Sequence, residues 1–222
     1  MRRQLPKRQQ SGFTLVEIAI VLVIIGLLLG GILKGQELIN SAKAKSFAQD
    51  FRNIQTALYG YQDRYKALPG DHNFPPLSPP NPGQQPATTP AGTVGNGQIN
   101  GVYDSTTDTD ESCLVWQHLR LAGFFPGPTT VSCAAGADYV PKNADGGRIG
   151  ISSTINIATM TGSFNICSQG ILGKFAKQLD TQLDDGNTFT GSLRAALTSA
   201  PTVGVANAGI LDGDSTIVCL AF

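Results

Sequence analysis

The chain has 222 residues, enough for one folded domain and a further segment, with 41% hydrophobic residues and no net formal charge at pH 7. The charge is uneven: Arg2, Arg3, Lys7 and Arg8 crowd the start, while six basic and twelve acidic residues follow from Pro69 onward. That acidic outer part offers no electrostatic footprint for nucleic acid, and two histidines plus four cysteines in no C-x-x-C pair lack the spacing of a structural zinc site.

Residues 13–33 form a 21-residue apolar stretch interrupted by Thr14 and Glu17. As a helix it reaches about 32 Å, enough to cross a bilayer. It exceeds the apolar core of an ordinary secretory signal. Basic residues precede it and Lys34 follows, so the basic side stays cytoplasmic and the C-terminal part faces outward. Glu17 is the anomaly. A carboxylate inside a membrane helix costs about 2.5–3.5 kcal/mol on insertion scales, which marks it as functional. The competing reading is a tolerated acid snorkelling to the interface.

The segment Ser11-Gly12-Phe13-Thr14-Leu15-Val16-Glu17 resembles the processing site of type IV prepilins and type II secretion pseudopilins. That family has a short basic leader ending in Gly, then Phe, then Glu at the fifth mature position, then a hydrophobic helix. The resemblance covers roughly residues 1–68. It implies cleavage between Gly12 and Phe13 by prepilin peptidase and methylation of the new Phe13 amine. Gly12 has no side chain, so the peptide can lie close to a protease's catalytic groups. It also implies that Glu17 of one subunit pairs with the Phe13 amine of a neighbour, an ion pair favoured over either lone charge in low dielectric. The implied partners are other pilin or pseudopilin subunits, an inner-membrane assembly platform and membrane lipid. The implied location is the inner membrane, single-pass with a periplasmic head, and then a filament. The implied fold is α+β and pilin-like: a long N-terminal helix packed on a small antiparallel sheet. The expected layout is a cleaved leader (1–12), a transmembrane and assembly helix (13–34), an amphipathic helix (35–68), a Pro/Gly-rich loop (69–112) and a disulfide-containing head (113–222).

Gly26/Gly30 and Gly31/Gly35 are two small-xxx-small pairs that permit close helix approach. Many relatives carry a proline near the Lys34 position; this chain has none there. Beyond the membrane run, Phe47, Phe51, Ile54, Leu58, Tyr61, Tyr65 and Leu68 recur at steps of four and three, lining one apolar face. The pattern predicts one helix from about residue 13 to 67, stopped at Leu68-Pro69-Gly70-Asp71.

Residues 69–101 are rich in Pro, Gly, Asn, Gln and Thr, and Pro75-Pro76 and Pro79-Pro80 predict an extended linker. Residues 111–125 read as a short helix ended by Gly123 and Pro126. Residues 174–183 read as another, with Phe175, Leu179 and Leu183 inward. Strands are expected at 148–153, 155–160, 163–166 and 216–221.

Cys113, Cys133, Cys167 and Cys219 allow three disulfide connectivities. The favoured pairs are Cys113–Cys133, closing a local loop, and Cys167–Cys219, tying the C-terminal strand to the sheet as a C-terminal disulfide does in many pilins. No cofactor is expected. Major pseudopilins often hold calcium in a C-terminal loop, which makes Asp212 and Asp214 the metal candidates. The acidic stretches at 104–111, 180–185 and 212–214 lack EF-hand spacing and read first as solvated turns. An enzyme is not expected. No Gly-x-Ser-x-Gly, His-Glu-x-x-His or phosphate-binding loop is present. His72 sits in a turn and His118 reads as a packed group beside Trp116. The alternative is a bitopic inner-membrane-anchored periplasmic enzyme or binding protein.

Overall fold

The computed structural model describes residues 12, 14–72, 87–154, 157–158 and 160–222. The leader up to Ser11, Phe13, both proline pairs and residues 155, 156 and 159 lie outside the described residues. The chain divides into two units, residues 1–42 and 43–222, and helix α1 (Leu15–Tyr65) runs through the boundary.

In the first unit α1 is helical throughout, including Gly26, Gly30, Gly31 and Gly35. Its large apolar side chains, Leu15, Ile20 and Leu27 among them, are exposed, so no core of the chain covers them. A run of this length and composition can cross a membrane. A Cβ added at any of the four glycines would meet nothing within 4 Å, leaving that helix surface open.

In the second unit α1 changes character. Phe47, Phe51, Ile54, Leu58 and Tyr61 are buried at helical spacing, joined by Ala44, Ala48 and Ala57. Burying each large side chain contributes about 1.5–3 kcal/mol. The helix stops where Lys66 takes φ 55°, a left-handed backbone before Leu68-Pro69.

Helix α2 (Glu111–Leu121) begins at Asp110, whose carbonyl accepts the Cys113 and Leu114 amides at 3.0 Å. Ten of its eleven residues are buried, so it is a core helix rather than a cap with one apolar stripe. Strand β1 (Ile149–Ser152) is followed by β2 (Asn165–Leu172), α3 (Gly173–Leu183), β3 (Leu193–Leu197) and β4 (Ser215–Ala221). The four strands form one antiparallel sheet in the order β1-β2-β4-β3.

Alternation divides the sheet cleanly. Ile151, Ile166, Leu193, Ala195 and Val218 join the main core with Phe47, Trp116 and Phe175. Their neighbours Cys167, Ala196, Ile217 and Cys219 form a second cluster with Tyr103, Ile157 and Met160. Gly150 in β1 admits this overlay: a Cβ there would lie 1.8 Å from the Tyr103 carbonyl oxygen.

Three sequence expectations need correction. The segment expected as a strand at 155–160 is not one among its described residues. Ile157 and Met160 are both buried, but the Met160 amide donates to the Ile157 carbonyl at 3.2 Å, closing a turn. Strand β3 was not expected at all. The linker reading of 69–101 also fails for residues 87–101. Asp71 accepts amides from Gly95, Asn96 (3.2 Å) and Gly97 (2.6 Å), and Ile99 is fully buried. Ile99 and Ser153 exchange two hydrogen bonds at 2.8 Å, so this segment is fastened beside β1.

Candidate functional site

The candidate site is the start of α1. Gly12 is exposed, and nothing beyond its chain neighbours lies within 4 Å of where a Cβ would be. Thr14 is the residue before the helix and Glu17 is its third residue. The Thr14 amide donates to Glu17 Oε2 at 2.8 Å, the Thr14 hydroxyl donates to the same oxygen at 2.7 Å, and the Glu17 amide donates to Thr14 Oγ1 at 3.3 Å. This is a reciprocal capping box, which satisfies amides that the first turn of a helix leaves orphaned. The negative carboxylate also faces the positive end of the helix dipole. Sequence reasoning missed Thr14, although the Thr-x-x-Glu spacing before an apolar run was there to read.

Residues 7–33 match the family described as the prokaryotic N-terminal methylation motif, which is the type IV prepilin and pseudopilin signature. The chain carries the prepilin signature. The match spans Lys7, Arg8, Gly12, Phe13, Glu17 and the whole apolar run. No curated protein and no solved structure matches the chain. The prepilin signature implies processing by prepilin peptidase and assembly with other pilin subunits. It belongs to structural subunits, not enzymes. Together with the apolar helix it fits single-pass membrane anchoring.

The remaining sequence candidates of this prepilin-like chain lie in the second unit. Cys113 is bonded to Cys133, and Cys167 to Cys219, with no free thiol. Cys167 and Cys219 are direct register partners on β2 and β4, with Cα atoms 4.0 Å apart. His118 is fully buried, and burial pushes its pKa down to about 4, with a Thr88 backbone group opposing and His72 adding to the fall. His72 meets the Tyr61 hydroxyl through Nδ1 at 3.1 Å. Both rings are structural contacts on this geometry.

Asp212 pairs with Lys177 at 3.0 Å, and Asp214 accepts the Leu211 amide at 2.7 Å. No third acid, cysteine or histidine joins them among the described residues. Asp180, Asp184 and Asp185 do converge, with one carboxylate oxygen from each within 4.8 Å of the others. Burial pushes the Asp180 carboxyl up to about 6. The Gly186 amide opposes that rise, the Asp185 and Asp184 charges reinforce it, and the Asn187 amide again opposes it. Neither Asp180 oxygen has a hydrogen bond of ordinary geometry. Sequence reading treated this run as a helix-ending turn. The spacing of four across Asp180 and Asp184 was the available signal that they share a face.

Proposed function

We propose that the chain is the precursor of a structural subunit of a type IV pilus or type II secretion-like filament. It is cut between Gly12 and Phe13, methylated on the Phe13 amine and polymerised through its N-terminal helix in the inner membrane. After cleavage the head lies in the periplasm and the apolar run is the assembly surface. The observation that carries this reading is the coincidence of the 7–33 match with Glu17 five places after Gly12.

The capping box adds a physical reason for the spacing. Both hydrogen bonds from Thr14 go to Oε2 of Glu17, so Oε1 keeps its lone pairs for a cationic partner. Thr14 and Glu17 both survive cleavage, so the box outlasts removal of the leader. In lipid, an amine of a neighbouring protomer supplies the missing positive charge, and an ion pair fixes the axial register between subunits. Four glycines with open surroundings let such helices approach closely.

The test is Glu17→Ala expressed in a host with a working pilus or secretion machine. Cleavage at Gly12 continues, because the scissile bond is untouched, while recovery in the sheared filament fraction falls at least tenfold. Normal recovery of filaments built from the variant would refute the role given to Glu17.

A further inference from the structure

We propose that the turn joining α3 to β3 is a divalent-cation site, formed by the carboxylates of Asp180, Asp184 and Asp185 and suited to calcium. The first observation is convergence: one oxygen from each of the three lies within 4.8 Å of the others. Calcium bonds oxygen at about 2.3–2.6 Å, so small side-chain adjustments bring one oxygen from each carboxylate onto a single ion.

The second observation is independent of the clustering. Asp180 is 0% exposed, and neither carboxylate oxygen makes a hydrogen bond of ordinary geometry, although the Gly186 and Asn187 amides lie close enough to temper its charge. Buried polar groups are almost always paired, and an unpaired carboxylate is the costliest case. No ion pair among the described residues involves Asp180, Asp184 or Asp185. A bound cation answers both facts at once: it supplies the absent positive charge and well-aligned coordination for the buried oxygens.

The other two carboxylates are held in place from behind. Asp184 Oδ2 accepts the Leu193 amide at 2.7 Å, which fastens it to the first residue of β3. Gly191 takes φ 72°, and a Cβ there would sit 2.0 Å from that same oxygen. Asp185 accepts the Asn187 amide at 2.9 Å and the Thr190 hydroxyl at 2.7 Å. The donors are all oxygen, which disfavours thiolate- and imidazole-seeking metals. Asp184 is half-buried and Asp185 exposed, so water can complete an irregular shell, which calcium tolerates better than magnesium does. The ion would clamp the last turn of α3 to the start of β3. The position is separate from Asp212 and Asp214.

The test uses the full chain in detergent micelles, stripped with EDTA. Thermal unfolding of the head is followed by near-UV circular dichroism, with calcium chloride or magnesium chloride added. Calcium at about a hundredfold excess over its Kd raises the wild-type midpoint by about 5 °C. The rise vanishes in Asp180→Asn and persists in Asp212→Asn. Titration calorimetry of the wild type with calcium chloride gives a saturable signal, which keeps the test decisive if Asp180→Asn does not fold. An absent calorimetric signal, an equal rise in Asp180→Asn, or an equal rise with magnesium would each overturn the assignment.

Discussion

The Nδ1 atom of His118 accepts the amide hydrogen of Gly70 at 2.9 Å, fastening the middle of α2 to the turn that ends α1. Nδ1 must therefore be unprotonated in the folded state, and full burial holds the ring neutral, with a pKa pushed down to about 4. In the unfolded chain the imidazole titrates near 6.5. Between these values the unfolded state binds a proton that the folded state refuses. The contribution is thus complete above about pH 6.5 and is lost as pH falls toward 4. A shift of this size corresponds to about 3 kcal/mol. Burial raises Glu111, and with it Asp180, so those carboxyls act in the opposite direction, and the informative quantity is a difference. Urea unfolding of the wild type against His118→Asn, whose amide oxygen can take the Gly70 hydrogen, should show stabilities that converge as pH drops from 7 to 4.5. Parallel curves would contradict this role for His118.

Arg120 spends its guanidinium on backbone. Nε donates to the Pro126 carbonyl at 3.1 Å, one terminal nitrogen to the Pro128 carbonyl at 3.0 Å and the other to the Tyr139 carbonyl at 2.7 Å. The group also lies 4.8 Å from the centre of the Tyr139 ring. A lysine keeps the charge but cannot span three carbonyls from one ammonium. Arg120→Lys should cost about 2–4 kcal/mol in urea unfolding and make residues 122–140 the first site of limited proteolysis. An unchanged midpoint and an unchanged cleavage pattern would show that the fork is dispensable.

The two disulfides should differ in worth. Cys113–Cys133 closes a separation of 20 residues and Cys167–Cys219 one of 52. Loop-closure entropy then assigns about 3 kcal/mol to the first and about 4 kcal/mol to the second. Double alanine variants of each pair, compared by thermal unfolding, should rank in that order. The reverse order would mean that packing around Cys113, next to Trp116, outweighs chain entropy.

Legibility in the sequence followed the length scale of each signal. The long helix was readable because an apolar run and a spaced row of aromatics agree over many residues. Both shorter helices and the edges of β1 and β4 fell within a few positions, whereas β2, expected at 163–166, runs on to Leu172. Strand β3 was hidden because Leu193-Arg194-Ala195-Ala196-Leu197 lacks β-branched residues, and its alanines are buried on both faces of the sheet. The turn at Ile157 and Met160 mimicked a strand because burial there comes from the overlay on the second face, not from pairing. Residues 87–101 carry the composition of a linker, yet Asp71 gathers their amides from about 25 positions away. Only the folded backbone shows such a contact. At the processing segment, Gly12 and Glu17 stood out, whereas Thr14 passed unnoticed because its partner is the anomaly itself.

A filament subunit cut after Gly12 and methylated on the new amine would carry that history at its mature N-terminus. Filaments or membranes from the native host should be digested and the N-terminal peptide read by mass spectrometry. The expected peptide begins at Phe13 and carries one added methyl group on its amine. A peptide that still contains residues from before Gly12, or that starts at any residue other than Phe13, would contradict this processing.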